Sequence, residues 1–248
     1  SHTIAPYNAS THLIKKYPNI VKAEVTLFGS LALTGKGHFT DLSIKKAFNE
    51  IPCEVFFDYK QEKPHINTLD FKFYLEDGSI AEEEAYSIGG GEYVIKSEPE
   101  KVLNHIYKEK NLKEIIDVCK KNNWRLYDYV YYHEPDIKEY LIKVWHVMQD
   151  AIDRGIHTKG KLPGKLGIDR KAPSFVESNH PNESLSTKSY RLISCYAFAV
   201  GEENASGGLV VTAPTCGSAG TLPSMLKYMA DTYNDDDEYV ANALATAG

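Results

Sequence analysis

The stretch 210–220, VVTAPTCGSAG, sets a thiol, Cys216, between Thr215 and Gly217, with Ser218 and Gly220 just beyond and an apolar periodic segment, TLPSMLKYM, directly after. Such a loop offers a sulfur that reacts or binds a metal, or a cradle of hydroxyls and backbone N–H groups for a small anion. The bland alternative is a turn that contains a cysteine. Two further polar loops lead into helical patterns: Ser1-His2-Thr3, and Thr34 to Asp41 with the sequence TGKGHFTD. A helix start presents unpaired N–H groups and the positive end of its dipole, which suits a carboxylate or phosphate. Taken singly, each loop has an ordinary reading: Thr40 or Asp41 as an N-cap, Lys36 as a solvated lysine, His2 and His38 as surface imidazoles. Three such loops in one chain favour a small anionic ligand without identifying a reaction.

The elements that must position these loops follow from periodicity. Ile4 to Tyr17 reads as a helix, and Val21, Ala23, Val25 and Leu27 alternate as a strand. FGSLALTGKG reads as a glycine-punctuated loop, and Ile44, Ala47, Phe48 and Ile51 fall at helical spacing. DFKFYLEDGSIAEEEAYSI reads as two strands joined at Asp77-Gly78, a dipeptide that tolerates the positive φ of a tight hairpin. After Lys96 helices dominate. An apolar stripe of Ile137, Tyr140, Leu141, Val144, Trp145, Met148, Ala151 and Ile152 predicts a helix from Asp136 to about Arg154, capped by Asp136 with Glu139 and stopped by Gly155. A second helix is predicted over Ser184 to Val200, with Leu192, Ile193, Tyr196, Ala197 and Val200 inward, and two more start near Thr221 and Glu238. The intervening GIHTKGKLPGKLGIDRKAPSF is too rich in Gly, Pro and Lys for regular structure. The predicted fold class is α+β: a small domain with a mainly antiparallel sheet over residues 1–96, then an all-α domain over 97–248.

Composition narrows the partners. Lys and Arg total 28 against 34 Asp and Glu, a formal charge of −6 spread along the chain, which argues against nucleic acid. No apolar stretch approaches the roughly 18 residues of a membrane helix and no signal peptide opens the chain, so a soluble, cytoplasmic protein is expected. Cys53, Cys119, Cys195 and Cys216 are scattered without a C-x-x-C pair, which matches neither a disulfide framework nor a zinc site. The chain opens without Met and stops inside an apolar run, and is expected to be a piece cut at both ends.

Read together, SHTIAP, FGSLALTGKGHFTD, YSIGGG, DRGIHTKGKLPGKL, GEENASGG and VVTAPTCGSAG resemble, in the same order, the bacterial iron–sulfur L-serine dehydratases (L-serine ammonia-lyases). The resemblance implies a regulatory-type domain, like the β chain of two-chain members, joined to the first part of a helical catalytic α region. It implies loss of water from L-serine to give an aminoacrylate, which ends as pyruvate and ammonia. A [4Fe-4S] cluster would act as Lewis acid on the serine hydroxyl. It further implies His38 as proton carrier and Lys36 as partner of the substrate carboxylate, with Ser1, His2, Thr3, Thr40, Asp41, Glu203, Asn204, Thr215, Cys216 and Gly217 binding substrate.

The departures from the family pattern are specific. Cys216 stands where the family usually has Asn, Ala5 replaces a Gly, and Ser1 is what remains of a serine run. The family's cluster cysteines fall beyond Gly248, so the ligands are expected in a missing C-terminal segment or partner chain. No metal ligand is expected among the 248 residues, which alone should be inactive. A homodimer is expected. Two alternatives stand beside this reading: a non-catalytic module that binds serine or a related amino acid, and elimination from threonine or cysteine.

Overall fold

The structure is a computed structural model that describes residues 2–99, 106–164, 166–178, 181–213, 215–233 and 236–248. It divides into two compact units, Ser1–Lys101 and Val102–Gly248.

The first unit is a sheet with helices on one face. Helix α1 (Ile4–Lys16) leads into strand β1 (Ile20–Phe28), a short helix α2 (Gly29–Thr34) and helix α3 (Thr40–Phe48). Strands β2 (Cys53–Asp58), β3 (Thr68–Leu75), β4 (Ile80–Gly89) and β5 (Glu92–Ile95) complete the unit. The strand order is β2-β1-β3-β4-β5. The pair β1–β2 is parallel, because a helical crossover joins them, and the other pairs are antiparallel. The period-2 pattern aims Ala23, Val25, Leu27, Leu69, Phe71 and Phe73 at Leu13 of α1 and at Ile44 and Phe48 of α3, forming one core. The β3–β4 turn uses Gly78 at φ 80, as the Asp-Gly dipeptide predicts.

Two local expectations are corrected here. Val21 is exposed, because the β1–β3 register shifts between Ile20 and Lys22 and turns it off the core face. FGSLALTGKG is not an open loop: Gly29–Thr34 is helical, with Leu31 and Ala32 buried. Gly29 starts it at φ 52, a left-handed conformation that glycine adopts without penalty.

The second unit is helical among its described residues. It comprises α4 (Leu112–Asn122), α5 (Leu126–His133), α6 (Ile137–His157), α7 (Ala172–Glu177), α8 (Leu185–Ala205), α9 (Cys216–Tyr233) and α10 (Asp237–Ala247). One apolar cluster gathers Ala151, Ile152, Ala172, Cys195, Tyr196, Ala199 and Val200; a second gathers Trp145, Met148, Leu226, Val240 and Leu244. The stripe of α6 thus faces both.

Its ends differ from the sequence reading. Asp136 has αR backbone and no side-chain cap bond, so it does not cap α6. Gly155 does not stop the helix, which runs to His157. It is there for packing: a Cβ at Gly155 would sit 2.4 Å from the Ala199 carbonyl oxygen, so α6 and α8 can touch only where the side chain is missing. Helix α9 opens at Cys216 rather than near Thr221, so Gly217 belongs to a first helical turn and not to a loop. Beyond His157, the described residues of the Gly-, Pro- and Lys-rich segment are irregular apart from the bridge Lys161–Asp169 and short α7. No helix of the described residues is long and apolar enough to cross a membrane.

Candidate active site

In the first unit two of the three polar loops meet. His2 and Thr3 precede α1, and the turn 35–39 precedes α3; the two helices pack against each other. The turn is tightly wound: Gly37 N–H donates to the Thr34 carbonyl at 3.0 Å, and Thr40 N–H donates to that of Gly35 at 2.9 Å. Phe39 sits at φ 54 as the residue before α3, and no side chain caps that helix.

Side chains lace the two loops together. Thr40 Oγ1 donates to the His2 carbonyl at 2.6 Å, Thr3 Oγ1 to the His38 carbonyl at 2.9 Å, and Ser43 Oγ to the Thr3 carbonyl at 2.8 Å. The rings of His2 and His38 lie 5.2 Å apart at 50°. His2 Nε2 is 2.9 Å from Ser30 Oγ. Burial and the neighbouring His38 push the His2 pKa below its ordinary value. The cluster sets two imidazoles, groups that can bind a carboxylate or move a proton, beside three hydroxyls whose protons tie the two loops together.

The remaining residues of the first unit stand nearby or outside this cluster. Lys36 is exposed, its ammonium 5.3 Å from the centre of the Phe57 ring. Asp41 lies in the first turn of α3. Ser1 lies outside the described residues.

In the second unit the motif words converge on Glu203, whose carboxylate is nearly buried between two guanidinium groups. Arg154 Nε reaches Oε2 at 3.1 Å and Arg170 reaches Oε1 at 3.1 Å. Arg154 also donates to the Leu209 carbonyl at 2.6 Å, and Arg170 to Ser206 Oγ at 2.7 Å. Glu202 accepts from the backbone of Lys171 at 2.6 Å and of Ala172 at 3.3 Å, at the start of α7. The Asn204 backbone carbonyl accepts from Gly207 N–H at 3.3 Å and that of Glu203 from Gly208 N–H at 2.8 Å, a helix-ending pair of bonds that Gly207 permits at φ 76. Glu203 and Asn204 therefore fix the end of α8 and the chain leaving it.

That chain ends at α9. Thr215 and Ser218 exchange bonds there: Ser218 N–H donates to Thr215 Oγ1 at 3.1 Å, and Thr215 N–H to Ser218 Oγ at 3.1 Å. Such a box caps the helix start. The Gly217 carbonyl accepts from Thr221 Oγ1 at 3.0 Å. Sequence reasoning missed Ser30, Ser43, Arg154, Arg170 and Ser206. The two arginines, each following an Asp ahead of the Glu202-Glu203 pair, were the available signal.

The described thiols do not fit an iron–sulfur cluster. Cys195 lies fully buried on α8, its thiol donating to the Ala172 carbonyl at 3.4 Å, and burial pushes its pKa to about 11. Burial pushes Cys53, in β2 of the other unit, to about 12, and raises Cys119 on α4 as well. A cluster takes converging thiolates, whereas Cys119 and Cys195 lie on different helices, their thiols donating to the Arg125 and Ala172 carbonyls. Among the described residues no group of three or more His, Cys, Asp or Glu is placed to hold a metal.

Comparison with known proteins matches this arrangement to a family. The family described as serine dehydratase alpha chain matches residues 65–248, and that described as serine dehydratase beta chain matches residues 1–50. An L-serine dehydratase of Helicobacter pylori is 32% identical over 284 aligned residues, covering 92% of this chain and 62% of the relative. L-serine dehydratase 1 of Escherichia coli is 30% identical over 285, with the same coverage, and an L-serine dehydratase of Streptomyces coelicolor is 26% identical over 305. The chain thus spans about 62% of the length of the first of these relatives. The α-chain match takes in most of the chain, which belongs to the serine dehydratase family.

Proposed function

We propose that this chain is part of an L-serine dehydratase that converts L-serine to pyruvate and ammonia. The observation that carries the reading is the meeting of the His2-Thr3 loop with the Gly35–Asp41 turn, which puts two imidazoles 5.2 Å apart beside three hydroxyls. The relatives' printed names support the same reading.

In this proposal the Cα–H bond of serine breaks, its electron pair forms the Cα–Cβ double bond, and the Cβ hydroxyl leaves with a proton as water. The aminoacrylate tautomerises to an imine, and water releases ammonia to leave pyruvate. His38 takes or relays a proton at its imidazole nitrogen. Lys36 swings from Phe57 to the substrate carboxylate, and His2, Thr3, Thr40 and Asp41 orient the substrate from the first unit. Ser1 belongs to the same set. Thr215, Cys216 and Gly217, at the start of α9, offer N–H groups to an anion, and Glu203 and Asn204 hold that chain in place.

The [4Fe-4S] cluster implied by the resemblance does not fit the described thiols, so no step is drawn through it. Its ligands are proposed to lie in the part of the relatives that this chain does not match. We take residues 1–96 as the β-chain-like part and 97–248 as the α-chain-like part of a cytoplasmic homodimer; the alpha-chain match begins earlier, at residue 65, inside the first compact unit. The one alternative reading is that these residues bind an amino acid without turning it over.

The test is product analysis with the complete protein made without oxygen, offered L-serine and L-threonine in turn. Pyruvate from L-serine is expected, with Lys36→Met raising KM more than it lowers kcat. Binding of L-serine without pyruvate would establish the second reading instead.

A further inference from the structure

Gly220 carries none of the roles assigned above, yet it marks the place where the start of α9 meets α8. It is buried one turn into α9, and a Cβ there would lie 2.9 Å from the Ala197 carbonyl oxygen and 3.6 Å from its carbon. Ala197 lies inside α8, where its carbonyl belongs to the helix ladder and cannot step aside. The two backbones touch here only because position 220 has no side chain.

Just beyond Gly220 the ladder of α9 is interrupted. Pro223 lies inside the helix and has no N–H, so the carbonyl four residues earlier, that of Ala219, receives no helix bond from it. Hydroxyls bracket the gap: Thr221 Oγ1 donates to the Gly217 carbonyl at 3.0 Å, and Ser224 Oγ to that of Thr221 at 2.8 Å. Ahead of it, Thr215 and Ser218 cap the turn, and Ala219 N–H donates to the Thr215 carbonyl at 3.1 Å. The turn that opens α9 is thus joined to the rest of the helix by a weakened ladder. Gly220 gives it a second support, from outside the helix.

We infer that Gly220 is a positioning residue: its bare Cα seats the first turn of α9 on the backbone of α8 and so fixes where Thr215, Cys216 and Gly217 stand. The role of those three toward substrate rests on the function proposed above; the seat itself does not. A binding turn held in place before its ligand arrives loses less freedom on binding. Intrinsic preference argues the other way at this position, because alanine is a better helix former than glycine. The sign of Gly220→Ala therefore separates the two effects: propensity alone tightens the turn, whereas loss of the seat loosens it.

The experiment uses Gly220→Ala, with Gly155→Ala as its counterpart, since that variant crowds the same helix from α6, at Ala199. First, amide hydrogen exchange is measured on the 248-residue chain. In wild type the Ser218 and Ala219 amides are expected to exchange within about tenfold of those in the middle of α9, as a supported turn does. Gly220→Ala is expected to speed both at least about tenfold relative to the middle of α9, and Gly155→Ala to leave that ratio within about twofold. Second, in the complete protein, Gly220→Ala should raise KM for L-serine about tenfold with kcat within about threefold, and Gly155→Ala should leave KM within about twofold. Wild-type Ser218 and Ala219 amides that exchange as fast as a frayed helix end overturn the inference, and that measurement needs no variant to fold. So does a Gly220→Ala turn that exchanges more slowly than wild type, or a Gly155→Ala variant that moves the ratio equally. An unchanged KM despite faster exchange overturns the positioning role. A complete protein that makes no pyruvate defeats the proposed function alone, since exchange still decides whether Gly220 holds the turn.

Discussion

The Thr40 hydroxyl donates to the His2 carbonyl at 2.6 Å, closing a contact between residues 38 apart instead of serving its own helix. Thr3 and Ser43 act alike, and together the three hydroxyls make the two loops one object. None of this disturbs the chemistry of the rings, because all three donate to backbone carbonyls. Charge is handled differently on the open face of the sheet, where Glu84 is met by Lys63 at 3.0 Å, Lys96 at 2.8 Å and the Tyr86 hydroxyl. Partial burial alone would raise its pKa, but the hydrogen bonds from Lys96, Tyr86 and Lys63 outweigh it and hold the carboxyl at about 2, against 4.5 ordinarily. A carboxylate depressed on folding stabilises the fold above its unfolded value, and that contribution fades as pH falls through the folded one. The stability difference between wild type and Glu84→Gln is therefore expected to be full above pH 4.5 and to shrink steadily toward pH 2. Urea midpoints across that range measure it, and a difference independent of pH would contradict the assignment.

At the scale of elements, the packing of α6 on α8 depends on the missing side chain of Gly155. Gly155→Ala pushes a methyl into the Ala199 backbone 2.4 Å away, and since backbone cannot yield as a side chain does, a loss of about 1–3 kcal/mol is expected by denaturant unfolding. No loss at all, or the gain of about 0.5–1 kcal/mol that an unhindered helical Gly→Ala change gives, would show that the helices can separate freely. The same contact explains which elements could be read from sequence. Helices α1 and α6 and the β3–β4 turn carry local signals, an apolar period or an Asp-Gly pair, and these survive in the fold. Gly155 carries the same local signal as a helix stop, yet its meaning lies in Ala199, a partner on another helix that no window around residue 155 contains. Helix α2 was hidden for a similar reason, since its burial comes from Leu31 and Ala32 packing into the distant core. At the candidate site, His2, Thr3, His38 and Thr40 could be singled out as residue types at helix starts. Ser30 could not, because its importance is a distance to a partner and not a pattern, whereas Arg154 and Arg170, each following an Asp ahead of the Glu202-Glu203 pair, offered a signal that went unused.

At the scale of the whole molecule, each unit has its own polar cluster: the paired histidines in the first, and in the second the Thr215–Ser218 box at the start of α9 and, separately, the Arg154–Glu203–Arg170 cluster. The chain covers 92% of itself but 62% of its Helicobacter pylori relative, so the account of catalysis extends to residues that the complete protein adds. The central claim is that the histidine cluster of the first unit works on L-serine. The most direct measurement compares pyruvate formation from L-serine by the complete wild-type protein and by His38→Asn, both made without oxygen and matched for iron content. The account predicts pyruvate and ammonia in equal amounts from wild type and a kcat lower by at least about 10²-fold in His38→Asn. Equal rates in the two proteins, or no pyruvate from wild type, would contradict it.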